Sequence, residues 1–219
     1  MFQNPDELIL LSQKVISQDI TPIFHQAMRI AIYNEFKAKA FCKKIIEQFE
    51  SPPPFSEILD SEIYHIDILF SLFLKYQVPT PTDGWFAQIQ TFPNLTENFE
   101  VGIANEISKI EMYNDLLVHV ADFPDIKDAF YKLQAVSYNH HLPTFRNALF
   151  KNLQKSDDTQ ERDVWQEAFE SFQKGELSSE TFLKLLDKIG KGQNQNLGLL
   201  LGLILSGMFS EKQEGEKYP

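Results

Sequence analysis

Cysteine, basic charge and long apolar runs are all scarce in this 219-residue chain. The one cysteine, Cys42, excludes an intramolecular disulfide and any thiolate-rich metal site. Lys and Arg number 20 against 31 Asp and Glu, a formal net charge of −11. Because phosphate binding needs clustered basic residues, this balance argues against a nucleic-acid partner. We expect a reducing, cytoplasmic location.

An export signal and a membrane span are also missing from the sequence pattern. The opening residues "MFQNPDELILLSQ" lack the basic start, apolar core and cleavage site of a secretory signal. The longest strongly apolar run, Leu197–Phe209, is shorter than the roughly 20 residues of a spanning helix. We interpret it as a buried or oligomer-forming helix, with membrane contact as the less favoured alternative.

Strand patterns are nearly absent, and apolar residues recur at the spacings of three and four that are typical of helices. A short helix through about Ser17 precedes four long helices. The long helices are predicted at about 22–50, 54–76, 95–121 and 125–154. The first and second, and the third and fourth, are joined by short links, whereas a long proline-rich connection joins the second to the third. This predicts two helical hairpins joined by a crossover, one of the four-helix bundle topologies.

The composition changes near residue 156, where the polar string "KSDDTQERD" begins. We therefore predict two parts. Residues 1–155 form the four-helix bundle with its short N-terminal helix. Residues 156–219 form a helical extension that ends in an apolar tail helix at 197–209.

Acidic residues interrupt the apolar inward faces of the first three long helices. These residues are Glu35, Glu62 and Glu106, and His65 follows Glu62 by one turn on the same face. Burying a lone carboxylate costs several kcal/mol unless it is paired, hydrogen-bonded or bound to a metal. Carboxylate and imidazole groups that meet in a bundle core would form a cage for iron, manganese or zinc.

The fourth long helix adds a histidine to this pattern. Its inward face reaches Ser137 and then either His140 or His141. The three-residue spacing from Ser137 favours His140 slightly, while His141 continues the same face equally well. Pro143 removes a backbone donor and is expected to kink the helix near this point.

The motif order resembles the ferritin-like superfamily of dimetal carboxylate bundles, which includes ferritins and rubrerythrins. The order is Glu on the first helix, Glu-x-x-His on the second, Glu on the third and His on the fourth. The strings "YNEFKAKAF", "FSEILDSEIYH", "VGIANEISKIEMYNDLL" and "KLQAVSYNHHLPTF" are similar to an uncharacterised prokaryotic ferritin-like domain family. The resemblance covers roughly residues 20 to 153.

The resemblance implies a role for each candidate ligand. Glu35 would be a terminal ligand of a first metal ion, Glu62 a bridge and His65 the nitrogen ligand of the same ion. Glu106 would be a terminal ligand of a second ion.

The fourth helix departs from the family pattern, which has a second Glu-x-x-His there. The positions three before the two histidines are Ser137 and Tyr138, and neither is a carboxylate. A second ion is therefore expected to bind weakly or not at all.

The implied function is that of an iron- or manganese-dependent oxidoreductase or metal-handling protein that acts on oxygen or peroxide. Three tyrosines, Tyr33, Tyr64 and Tyr113, are candidates to lie near the metal centre. Because no cysteine-ligated centre is present, electrons would come from an external donor. The alternative is a non-enzymatic scaffold or interaction protein with a degenerate metal site. With either function we expect a homo-oligomer, formed through the bundle or through Leu197–Phe209.

Overall fold

The computed structural model describes residues 4–153, and the predicted all-α class is confirmed there, since these residues form helices and contain no strand. The predicted extension with its apolar tail helix lies outside the described residues. Within 4–153, no helix is long and apolar enough to cross a membrane. The elements in chain order are α1 (Glu7–Ser12), α2 (Ile23–Phe49), α3 (Phe55–Tyr76), α4 (Trp85–Gln88), α5 (Leu95–Val118), α6 (Pro124–Val136), a π-helical turn (Ser137–His141) and α7 (Leu142–Leu153).

The four long helices are found close to their predicted positions. The observed elements differ from the prediction in three places. The first short helix ends at Ser12 instead of Ser17, because Gln13 adopts a left-handed conformation with φ 58°. The long connection contains the single turn α4. The fourth long helix is divided by the π-helical turn.

The described residues divide into two compact units, and each is described by itself. The first unit contains residues 4–91 and 108–141. The second contains residues 92–107 and 142–153.

In the first unit, α2 and α3 form a packed hairpin. Apolar residues on the inward face of α2, such as Met28, Ala31 and Ile45, are fully buried. The N-terminal segment is fixed to α2 by an ion pair, in which Arg29 donates to both carboxylate oxygens of Asp6 at 2.6 Å. This hairpin is the frame on which the buried carboxylates are placed.

The C-terminal half of α5 and helix α6 also pack together in the first unit. The Gln134 side chain donates a hydrogen bond to the backbone carbonyl of Ile110 at 3.0 Å. The rings of Tyr113 and Phe130 lie 5.3 Å apart between their centroids. These contacts fix the rotation of α5 about its axis over residues 108–118.

The second unit contains a close approach between a glycine and an aromatic ring. A Cβ atom added to Gly102 would lie 2.8 Å from Phe145, whose side chain is buried. A side chain at residue 102 therefore has no room unless the ring moves.

We expect the Gly102→Ala variant to be less stable than the wild type by about 1–2 kcal/mol, because overpacking at a buried ring exceeds the gain in helix propensity. Denaturant unfolding would measure this change. Gly102→Ala should cost less stability in a Phe145→Leu background than in the wild type, because the smaller side chain leaves room for the added methyl group. An alanine variant as stable as the wild type would contradict the expectation.

Candidate metal centre

Three of the predicted ligands meet in the core of the first unit. Glu35 comes from α2, and Glu62 and His65 come from α3. Glu35 and Glu62 are 0% exposed and His65 is 2% exposed. The His65 Nδ1 atom lies 3.4 Å from Oε2 of Glu35 and 3.3 Å from Oε2 of Glu62. The register predicted for these residues is therefore confirmed.

A lysine that the sequence analysis did not select lies among the same carboxylates. Lys109 of α5 is buried, and its Nζ atom lies 2.7 Å from Oε1 of Glu62 and 3.1 Å from Oε2 of Glu35. Lysine is almost never fully buried unless it is paired, so the sequence pattern gave no reason to place Lys109 in the core. Ile110 is partly exposed, and Lys109 takes the inward position.

Tyr113 fixes the orientation of Glu35. Its hydroxyl donates a hydrogen bond to Oε1 of Glu35 at 2.6 Å. Each carboxylate thus has its Oε1 atom held by a donor, Tyr113 for Glu35 and Lys109 for Glu62, and presents its Oε2 atom to His65. Of the other candidate tyrosines, Tyr33 bonds Glu7 and Tyr64 is mostly exposed.

The inward histidine of the fourth long helix is His141, and the preference for His140 is wrong. His141 is buried, whereas His140 is exposed. The Nδ1 atom of His141 lies 3.3 Å from Oε1 of Glu62, and its Nε2 atom lies 2.9 Å from the Ser61 hydroxyl. The same hydroxyl lies 3.4 Å from Nε2 of His65.

The π-helical turn explains why the three-residue spacing failed. A π-helix bonds residue i to i+5 and so has more residues per turn than an α-helix. In such a turn a residue three positions on lies further from the starting face than a residue four positions on, so His141 and not His140 shares the face of Ser137. Ser137 and His141 are both buried. Pro143 lies two residues after the turn and supplies no N–H group to the carbonyl of Asn139, which favours a departure from α-helical bonding.

Glu106 belongs to the second unit and is buried on α5, as predicted. Its role as a metal ligand stays a prediction. Of the two positions where the resemblance implies a second carboxylate, Ser137 is buried and Tyr138 is exposed.

The positive charges around Glu62 decide its protonation. Burial raises the pKa of Glu62, but the charge of Lys109 and hydrogen bonds from neighbouring side chains outweigh burial and hold the pKa well below its usual value. The carboxylate is therefore ionised at neutral pH.

The two carboxylates have the opposite effect on His65. Burial lowers the pKa of His65, but hydrogen bonds and charges from Glu35 and Glu62 outweigh burial and raise the pKa to about 9. In the absence of an ion, His65 is protonated at neutral pH. It must lose that proton before Nδ1 can bind a metal.

The donor set fits a divalent ion in both chemistry and spacing. Two ligand atoms that each lie about 2.1 Å from one ion are about 3.0–3.5 Å apart at tetrahedral or octahedral angles. The separations from Nδ1 of His65 to the two Oε2 atoms, 3.4 and 3.3 Å, fall in this range. Donor atoms of Glu35, Glu62 and His65 all lie within 4.8 Å of one another. Imidazole and carboxylate together suit iron, manganese and zinc.

Comparisons with family models, with curated proteins and with solved structures give no match for this chain. The class of protein that the described residues define is an all-helical protein with a buried carboxylate and histidine cluster.

Proposed function

We propose that the protein is a ferritin-like metal-binding protein that holds iron or manganese, with zinc as a further candidate, in its helical core. The observation that carries this proposal is the convergence of three donor atoms, Oε2 of Glu35, Oε2 of Glu62 and Nδ1 of His65. The motif order along the four long helices adds support through the family resemblance. The proposed activity is that of an oxidoreductase or metal-handling protein acting on oxygen or peroxide.

The chain's own residues have separate tasks in this proposal. Glu35, Glu62 and His65 bind the ion, and Tyr113 orients Glu35 through its second oxygen. Bound iron or manganese supplies one-electron chemistry toward oxygen or peroxide. Burial of the three ligands keeps bulk water away from the centre. Because one cysteine cannot form a thiolate-rich redox centre, the electron donor is proposed to be a separate protein or small molecule.

Metal content tests the proposal directly. The protein purified without chelator should contain roughly one equivalent of iron, manganese or zinc by elemental analysis, because buried ligands of this kind retain their ion. Glu62→Ala should abolish the metal content, since it removes a ligand. Asp67→Asn, an exposed acid on the same helix, is the matched control and should leave the content unchanged.

Two further results complete the test. If Glu106 is a ligand, Glu106→Ala should also reduce the metal content. Chelator-treated wild type should also be incubated with Fe²⁺, Mn²⁺ or Zn²⁺, because a competent site without its ion should refill. A wild-type metal content that stays below about a tenth of an equivalent before and after this incubation would contradict the proposal.

A second candidate function is a non-enzymatic scaffold with a degenerate site. The observation that favours it is the Lys109 ammonium, which already provides positive charge to Glu35 and Glu62. In that case the buried carboxylates need no ion, and the protein acts through binding a partner or through homo-oligomers.

A further inference from the structure

Lys109 competes for an oxygen atom that the proposed ion would use. Its ammonium contacts Oε1 of Glu62 at 2.7 Å, an atom that does not face His65. It also contacts Oε2 of Glu35 at 3.1 Å, and this is the atom that faces His65. The ammonium and a bound ion would therefore share one carboxylate oxygen.

Two opposite effects follow from a cation in this position. Lys109 holds Glu62 in place, and removal of such a positioning group typically weakens metal affinity about 10–100-fold. Lys109 also repels a second positive charge, and the repulsion is strong because water is excluded from the cluster. The sign of the net effect depends on whether the carboxylates stay oriented without the lysine.

Side chains other than Lys109 also lie against both carboxylates. Tyr113 holds Oε1 of Glu35 at 2.6 Å independently of the lysine. His141 places Nδ1 3.3 Å from Oε1 of Glu62, the same oxygen that Lys109 contacts. Because both carboxylates keep a partner, charge repulsion outweighs the loss of positioning.

We infer that Lys109 is an internal cation that competes with the metal for Glu35 and lowers the affinity of the site for the ion. The inference rests on the proposed metal site. Lys109 holds Glu62 in place, but its main effect on the site is to oppose metal binding.

The test compares Lys109→Met with the wild type in Mn²⁺ binding. Methionine keeps a flexible apolar chain of similar length and removes the charge. Chelator-treated proteins are titrated with Mn²⁺ against a chromophoric competitor at one fixed pH. Lys44→Met is the matched control, because Lys44 is a partly buried lysine of α2 that packs over Phe86. Circular dichroism checks the fold, and Lys109→Gln replaces the methionine variant if that variant does not fold.

The expected result is Mn²⁺ binding at least tenfold tighter in Lys109→Met than in the wild type, since a like charge is removed. Lys44→Met should bind Mn²⁺ as the wild type does. Without metal, the melting temperature of Lys109→Met should fall below that of the wild type, because the carboxylates lose their counter-ion, and saturating Mn²⁺ should reverse that order.

The other outcomes distinguish a failure of the inference about Lys109 from a failure of the proposed metal-binding function. If the wild type binds Mn²⁺ and Lys109→Met binds equally or more weakly, the inference is overturned and the proposed function stands. If only Lys109→Met binds, Lys109 excludes the ion, and the inference is upheld while the proposed function of the native chain fails. If neither protein binds, both are overturned. An equal gain in Lys44→Met would also overturn the inference, because the effect would then not arise at Lys109.

Discussion

Replacing Glu62 by glutamine should lower the free energy of unfolding of the metal-free protein by about 3–5 kcal/mol, the cost of breaking a buried ion pair by removing one partner. Glutamine has nearly the same shape, so the loss comes from charge and not from packing. Lys109 would lose its ion pair with Glu62 and keep the one with Glu35, and His65 would lose one of its two carboxylate neighbours.

Urea unfolding in the presence of a chelator measures this effect. Asp67→Asn on the same helix is the control, and a surface change of this kind should stay within about 0.5 kcal/mol of the wild type. A Glu62→Gln variant as stable as the control would mean that the carboxylate contributes nothing to the metal-free fold, contrary to its contact with Lys109.

Raising the pH should destabilise the metal-free protein through His65. Its pKa is raised from 6.5 to about 9, so the folded state binds the proton more tightly than the unfolded state does. The stabilisation is fully present below pH 6.5 and is lost progressively as the pH rises to about 9. A shift of this size corresponds to about 3 kcal/mol.

The measurement is the difference in unfolding free energy between the wild type and His65→Gln from pH 6 to about pH 9.5, the range that brackets the shifted pKa. Groups that titrate in both proteins cancel in this difference. His140→Gln is the control, because His140 is exposed and its replacement should leave the pH dependence unchanged. If the His65→Gln difference stays constant with pH, His65 is not the titrating group.

The carboxylate cluster could be predicted from the sequence because helix periodicity is a strong signal. Glu35 and Glu62 lie on faces that are otherwise apolar over many turns, and such a face is buried whatever the details of packing. His65 follows from Glu62 because side chains three residues apart on a helix are neighbours. The structure places these three together as predicted.

The rest of the site escaped prediction for two physical reasons. Lys109 has the sequence pattern of a surface residue. The cost of burying its ammonium group is offset by Glu35 and Glu62, which come close to it only in the folded chain. The choice between His140 and His141 depended on a local change from α- to π-helical bonding. The spacing of apolar residues allowed both histidines, and the change in backbone bonding favours the one four positions after Ser137.

The ammonium group among the acidic side chains also bears on how this protein is made in the cell. Many small metalloproteins stay unfolded until their ion arrives, because nothing else neutralises the ligands. Here Lys109 offers that neutralisation as part of the chain itself. The chain can therefore fold before any ion binds, and at the proposed site an ion would bind to a protein that is already folded.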